Sequence, residues 1–247
     1  MTRRCLLPLL LVAAFAAAHA ATDDDYAAER RQLINLLKLT ATTLRHGTGF
    51  FTVGKPLDER VLAVMARVPR HAFVPPEERS RAYKNVPLPI GYSQTISQPY
   101  IVAVMTDLLE LDGDEVVLEV GTGSGYQAAV LAELVREVYT IEIIEPLAHQ
   151  ATERLARLGY DNVTTRLGDG YYGWDEKAPF DAVIVTAAAS HVPPPLIRQL
   201  KPQGRMAIPV GGRFLTQHLM LVEKDDEGRI KTWQLLPVRF VPLLGGH

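Results

Sequence analysis

The first half of the chain is dominated by hydrophobic residues at helical spacing. Leu33, Leu37 and Leu44 recur in this way on one side of an amphipathic segment. The pattern predicts helices over 29–44, 57–66 and 100–111, with a loop over 47–54. Residues 69–99 are rich in proline and have no clear periodicity. This stretch indicates either a long surface loop or a segment that folds over a site.

Short apolar runs follow, separated by helical stretches or turn residues. The predicted strands cover 115–120, 137–142, 163–167, 181–186 and 205–210. Strands that alternate with helices form a parallel sheet covered on both faces. The fold class is therefore expected to be α/β, a Rossmann-like doubly wound sheet in three α/β/α layers with an N-terminal helical extension. Residues 215–223 and 232–240 predict a closing antiparallel pair.

The first twenty residues have the layout of a secretory signal peptide. Arg3 and Arg4 precede an apolar run over 6–18, which ends in Ala18-His19-Ala20. The run is shorter than the roughly 20 apolar residues of a membrane-spanning helix. We therefore expect export to the periplasm or the medium, with no stable membrane association after cleavage. An uncleaved N-terminal anchor is the alternative.

Composition narrows the possible partners and cofactors. With 247 residues and 47% hydrophobic content, the chain can bury the core of a full α/β domain. A formal net charge of -2 provides no general attraction to nucleic acid, and we expect no nucleic-acid partner. Cys5 would leave with the signal peptide, so the mature chain would hold neither a disulfide nor a thiolate zinc site. The histidines lack metal-ligand spacing, and no metal is predicted.

A glycine-rich loop stands between the first predicted strand of the sheet and the helix after it. It reads Gly121-Thr122-Gly123-Ser124-Gly125. Glycines allow a sharp turn and close approach of a ligand, although a plain strand-to-helix turn would also contain them. Tyr126 occupies the position of the third glycine in a dinucleotide fingerprint, and no Lys followed by Ser or Thr completes a P-loop. Glu119 lies two residues before the first glycine.

This acidic residue and glycine loop resemble the first motif of class I S-adenosylmethionine-dependent methyltransferases. S-adenosylmethionine carries a sulfonium and an ammonium cation but no phosphate, so a neighbouring carboxylate is favourable. Glu142 closes the second predicted strand, where it could accept hydrogen bonds from a ribose diol, as it would also for NAD. By resemblance, Asp169 and Gly170 lie near the adenine, and Thr186 also belongs to the cofactor site. A turn-capping role is the alternative for Asp169.

The most distinctive stretch is Gln94-Thr95-Ile96-Ser97-Gln98-Pro99. It resembles the substrate-side signature of the protein-L-isoaspartate O-methyltransferase family. Further matches follow the same order along the chain, at 68–74, 119–127, 168–170, 180–188 and 238–243. The resemblance begins near Val68, and the first 55 residues have no recognised counterpart. Together with the residue pattern, it divides the chain into a signal peptide over 1–20, a helical extension over 21–55 and a methyltransferase domain over 56–247. Within that domain, 56–112 would be the substrate side and 113–247 the cofactor-binding sheet.

The resemblance implies methyl transfer from S-adenosylmethionine to the carboxylate of L-isoaspartyl residues in damaged peptides and proteins. Ser97 matches the family's active-site serine. Thr95, Ile96, Gln98, His191 and Arg239 are the expected substrate-binding residues. The alternative for His191 is an exposed loop histidine. The alternative for Arg239 is a structural salt bridge. A carboxylic acid with an ordinary pKa near 4 is already ionised at neutral pH, so no general base is required.

Two other functions remain open from the sequence. A methyltransferase of the same fold could act on RNA or a small molecule, but the 94–99 stretch disfavours this. The second is a non-catalytic exported binding protein. Export would separate the protein from the supply of S-adenosylmethionine, because that cofactor is made in the cytosol. Family members usually work in the cytoplasm, which is the alternative location. We expect the chain to be a monomer.

Overall fold

The computed structural model describes residues 25–43, 56–212 and 216–246. The predicted signal peptide and the predicted loop over 47–54 lie outside the described residues. The α-helices in these ranges are α1 (Ala27–Thr43), α2 (Glu59–Arg67), α3 (Pro99–Asp107), α4 (Tyr126–Ala132), α5 (Glu145–Arg157) and α6 (Pro194–Gln199). The strands are β1 (Leu88–Gly91), β2 (Gln94–Ile96), β3 (Val116–Val120), β4 (Glu137–Glu142), β5 (Val163–Leu167), β6 (Phe180–Val185), β7 (Leu200–Val210), β8 (Gln217–Lys224) and β9 (Ile230–Val238).

A central sheet in the order β5-β4-β3-β6-β7-β8-β9 confirms the predicted α/β fold. Strands β3 to β7 are parallel, and β8 and β9 add the predicted antiparallel pair. The sequence pattern places the start of β7 five residues late. The strand begins at Leu200, but the pairing with β6 is irregular between Leu200 and Arg205, and Gln203 has a positive φ of 61°. Pro202 and Gly204 in this irregular stretch look like a turn in the sequence.

Alternate residues of β3 face opposite sides of the sheet, because side chains along a strand point in alternate directions. Val117 belongs to the hydrophobic core that also contains the buried faces of α1 to α5. Leu118 and Val120 belong to a second core on the other face, with Leu196 of α6. The helices therefore cover both faces of the sheet, and all five residues of β3 are buried.

The helix of the N-terminal extension packs into the first of these cores. Leu33, Leu37 and Ala41 of α1 are buried there, as the predicted helical spacing requires. On the outer side, Lys38 Nζ lies 2.7 Å from Glu59 Oε2 of α2. None of the helices in the described ranges has both the length and the apolar character needed to cross a membrane.

Residues 69–99 fold over the carboxyl edge of the sheet, the second of the two predicted possibilities. Short 3₁₀ turns at Arg70–Phe73 and Pro76–Arg81 lead into the antiparallel hairpin of β1 and β2. The hairpin ends at Ile96, which is 4% exposed and faces the cleft described below. The segment thus supplies a wall to that cleft.

Leu37→Ala is expected to lower the free energy of unfolding by about 2–5 kcal/mol, because Leu37 is fully buried and the change leaves a cavity. Leu39, two residues on, is 60% exposed, and Leu39→Ala should change the free energy of unfolding by less than about 0.5 kcal/mol. Urea unfolding of both variants checks this. Equal effects would mean that α1 is not anchored through Leu37.

Candidate functional site

The glycine loop after β3 adopts a backbone that favours glycine at three positions. Gly121, Gly123 and Gly125 have φ angles of 98°, 54° and 88°. A Cβ atom on Gly121 would lie 2.5 Å from Thr186 Oγ1, at the end of β6. Thr186 Oγ1 donates a hydrogen bond to the Gly121 carbonyl at 2.5 Å. Glycine therefore lets the loop approach the end of β6 closely enough for this bond.

A cleft of about 750 Å³ opens beside this loop, between the hairpin of β1 and β2, the end of β4 and the C-terminal segment. We call it the first cleft. The predicted cofactor residues that line it are Glu119, Gly121, Thr122, Gly123, Ser124, Glu142, Gly170 and Thr186. Most of the predicted cofactor set therefore comes together around one opening.

Two predicted cofactor residues, Gly125 and Asp169, do not line the first cleft. Gly125 precedes α4, and a Cβ atom there would lie 3.2 Å from Leu155 of α5, so it serves the packing of two helices. Asp169 accepts hydrogen bonds from the backbone N–H groups of Tyr171 at 3.0 Å and Gly246 at 3.3 Å. Asp169 therefore caps this turn, the alternative that the sequence left open, and its contact with the cofactor stays a prediction.

Glu142 joins the end of β4 to the glycine loop. Its Oε2 accepts a hydrogen bond from the Gly123 N–H at 2.7 Å, and its Oε1 accepts one from the Ile144 N–H at 2.9 Å. The side chain is 6% exposed. Since each carboxylate oxygen can accept two hydrogen bonds, both oxygens keep an acceptor position for a ligand hydroxyl.

Glu119 is a fully buried carboxyl group in the wall of the first cleft. Its Oε2 accepts a hydrogen bond from Thr140 Oγ1 at 2.5 Å, and Thr140 in turn lies 2.6 Å from Thr122 Oγ1. Its Oε1 is buried and has no partner in the protein. Burial raises the pKa of Glu119 to about 8, because the loss of water outweighs the hydrogen bond from Thr140, and nearby Glu142 adds to the rise. The unpaired oxygen is suited to a cationic donor.

A second cleft, of about 920 Å³, adjoins the first. Its lining includes Gln98 and Arg239, both predicted to bind substrate. Thr95, Ser97 and Thr186 line both clefts. Ser97, the predicted catalytic residue, thus stands at the junction where molecules in the two clefts would meet.

His191, one of the predicted substrate-binding residues, lines neither cleft. It is exposed, with Nε2 3.2 Å from Tyr171 Oη and Nδ1 3.0 Å from Ser190 Oγ. This position fits the alternative of an exposed loop histidine, and a contact between His191 and the substrate stays a prediction. Gln98 does line the second cleft, but its Nε2 also donates to the Asn85 carbonyl at 3.0 Å.

Residues 241–244 line the first cleft and were not expected there. The segment is fixed by two backbone hydrogen bonds of 2.8 Å with Ala188, one donated by the Ala188 N–H to Val241 and one accepted from Leu243. Residues 241–243 belong to the last stretch that resembles the family, 238–243. The sequence therefore did contain a signal for this part of the cleft. Among the described residues, no group of three or more His, Cys, Asp or Glu side chains could hold a metal ion.

Comparison with known proteins identifies the family. A family model described as protein-L-isoaspartate(D-aspartate) O-methyltransferase matches residues 52–247. The chain belongs to this family. Protein-L-isoaspartate O-methyltransferase 2 of Syntrophobacter fumaroxidans is 62% identical over 243 residues, which cover 98% of this chain and 96% of the relative. Protein-L-isoaspartate O-methyltransferase 1 of Cupriavidus necator is 58% identical over 247 residues, covering 99% and 94%.

Solved structures agree on the fold of this methyltransferase. A protein-L-isoaspartate O-methyltransferase superposes with a TM-score of 0.72 at 28% identity, covering 88% of this chain and 66% of that one. A Plasmodium falciparum protein of the same family, in complex with S-adenosyl-L-homocysteine, superposes with a TM-score of 0.71 at 25% identity. The superposition covers 87% of this chain and 98% of that one. The relatives also correct one expectation. Since they match 98% and 99% of the chain, its first 55 residues do have counterparts.

The pH dependence of stability should reveal the buried carboxyl of this methyltransferase. Glu119 keeps its proton up to about pH 8 in the folded state, whereas the ordinary value of 4.5 applies in the unfolded state. Between these values only the unfolded chain loses the proton, so rising pH favours unfolding. The free energy of unfolding of the wild type, relative to Glu119→Gln, should fall by about 1.4 kcal/mol per pH unit between about pH 5 and pH 8.

Urea unfolding of the wild type and Glu119→Gln over that pH range measures this difference, which should level off above about pH 8. Parallel curves for the two proteins would show that Glu119 is ionised in the folded state.

Proposed function

We propose that this chain transfers a methyl group from S-adenosylmethionine to the carboxylate of L-isoaspartyl residues in peptides and proteins, and so starts their repair. The observation that carries the proposal is the position of Ser97 at the junction of the two clefts. S-adenosylmethionine would occupy the first cleft and the isoaspartyl side chain the second.

The chemistry of the first cleft fits the cofactor. Glu142 offers acceptor positions for ribose hydroxyls, and the unpaired Oε1 of Glu119 offers one for a cationic group. When bound, S-adenosylmethionine supplies an electrophilic methyl group on a positively charged sulfur. The Plasmodium falciparum relative holds S-adenosyl-L-homocysteine, the molecule that remains after methyl transfer.

The second cleft fits an anionic acceptor. Arg239 in its lining can attract a carboxylate, and the Ser97 hydroxyl can donate a hydrogen bond to one carboxylate oxygen. The other oxygen then attacks the methyl carbon, a C–O bond forms, and the electron pair of the C–S bond passes to sulfur. Because the carboxylate is ionised at neutral pH, the groups around it need only align it and exclude water. The methyl ester then collapses to a succinimide, which reopens partly to aspartate.

Ser97→Ala should lower kcat/KM for an isoaspartyl peptide by about 10- to 100-fold, the effect of losing one hydrogen bond to a charged group. Transfer from labelled S-adenosylmethionine is measured with two peptides that differ only in isoaspartate versus aspartate, and label should enter only the first. Ser80→Ala is the control, because Ser80 is exposed and lines neither cleft.

Two results would contradict this function. Labelling of both peptides alike would remove the specificity for isoaspartate. Binding of S-adenosyl-L-homocysteine in calorimetry without labelling of either peptide would favour a different substrate or a non-catalytic role.

We also infer that the protein is exported. The support is the sequence of residues 1–20, with its two arginines, apolar run and Ala-His-Ala end. S-adenosylmethionine would then have to reach the enzyme outside the cytosol. A cytoplasmic location would follow if this segment is not recognised.

Fusion of residues 1–30 to a reporter that is active only outside the cytoplasm should give an active reporter. Leu10→Arg, which places a charge inside the apolar run, should abolish the activity. N-terminal sequencing of the exported full chain should begin at Ala21. A silent wild-type fusion, with the full chain in the cytoplasmic fraction, would refute export.

A further inference from the structure

Arg70 is a fully buried arginine next to the residues that carry Ser97. Its Nε donates a hydrogen bond to the Ala82 carbonyl at 2.8 Å, and its Nη2 donates one to the Ser97 carbonyl at 2.8 Å. Its Nη1 is buried without a partner, and no carboxylate in the described ranges forms a salt bridge with it. A buried cation without a carboxylate is unfavourable to folding, so ordinary packing gives no reason for it.

The same guanidinium group contacts the cofactor side of the site. It lies over the ring of Tyr126, 4.9 Å from the centroid, and attraction between a cation and an aromatic ring stabilises this contact. Tyr126 is 2% exposed, is the first residue of α4 and lines the first cleft. Burial lowers the pKa of Arg70 to about 10, which still leaves it charged at neutral pH.

Residues that follow Ser97 are held by a separate contact. The side-chain oxygen of Asn85 accepts a hydrogen bond from the Tyr100 N–H at 3.0 Å, and its backbone carbonyl accepts one from Gln98. Asn85 therefore fixes the start of α3, while Arg70 fixes Ser97 itself. The planar guanidinium group of Arg70 links this segment to Tyr126, the first residue of the helix that follows the glycine loop.

We propose that Arg70 is a positioning residue for methyl transfer, which holds Ser97 and Tyr126 at a fixed separation and so sets the alignment between the two clefts. The proposal rests on the function proposed above, in which Ser97 contacts the acceptor carboxylate. Transfer requires the attacking oxygen, the methyl group and the sulfur to be in line, and a displacement of about 1 Å can slow such a step about 100-fold. Arg70 contributes through Ser97 and Tyr126 and lines neither cleft.

The test compares Arg70→Lys and Arg70→Met with the wild type in labelled methyl transfer to the isoaspartyl peptide. Arg70→Met should lower kcat about 10- to 100-fold, while the Kd for S-adenosyl-L-homocysteine, measured by calorimetry, changes less than about threefold. Arg70→Lys keeps the charge, but its amino group cannot bond two carbonyls as one planar group does. Its kcat should therefore lie between the kcat of the wild type and that of Arg70→Met. If Arg70→Met does not fold, the kcat and the Kd of Arg70→Lys test the proposal.

Arg30→Met is the matched control. Arg30 also contacts two backbone carbonyls, those of Ala66 and Arg67 at 3.4 Å, and lies 5.8 Å from the centroid of the Tyr83 ring. None of these residues lines either cleft. Arg30→Met should lower the melting temperature without lowering kcat.

A double-mutant cycle separates positioning from general destabilisation. If Arg70 acts through Ser97, Arg70→Lys should lower kcat much less in a Ser97→Ala background than in the wild type. Additive effects, or a kcat for the Arg70 variants equal to that of Arg30→Met, would overturn the proposal. A wild type that labels no isoaspartyl peptide would instead refute the proposed function.

Discussion

The site depends on one constraint of the sheet, the meeting of β3 and β6 as neighbours at its centre. The chain runs outward from β3 to β4 and β5 and then returns to β6 on the other side of β3. At such a reversal the connections leave in opposite directions and open a crevice at the carboxyl ends of the strands. The hydrogen bond from Thr186 to the Gly121 carbonyl joins the residues that follow β6 and β3 at this crevice. Thr186 lines both clefts, because it directly follows β6, the strand beside the one that leads into the glycine loop.

The sequence pattern predicted the bounds of β3, β4, β5 and β6 to within one residue at each end. The bounds of β4 and β5 agree with the prediction residue for residue. The hairpin of β1 and β2 could not be predicted, since strands of four and three residues are too short to show alternation. The early start of β7 was missed for a different reason. Its pairing with β6 is interrupted, and only tertiary contacts show that the residues before the interruption belong to the strand.

The sequence predicted the site best where its residues are continuous in the chain. The glycine loop and the Thr95 to Gln98 stretch each supply several neighbouring residues to one cleft. Isolated residues fared worse, because the direction of a side chain depends on its partners in space. Asp169 caps a turn and accepts from Gly246, and His191 meets Tyr171, in contacts that no local pattern contains. Arg70 lies in the 68–74 stretch that resembles the family. Its burial and its contact with Ser97 could not be predicted from that stretch, because they depend on how the chain folds.

Two buried ionisable groups distinguish this site from an ordinary hydrophobic core. Glu119 has an oxygen without a partner, and Arg70 has a nitrogen without one. Paired with each other they would compensate much of the loss of hydration, yet the fold keeps them in separate contacts, with Thr140 for one and with Ala82, Ser97 and Tyr126 for the other. The proposed reaction accounts for this separation. It brings together a cation and an anion whose charges cancel as the methyl group moves, so a carboxyl group that a bound cation can ionise suits the wall of the first cleft and a positive group suits the support of Ser97.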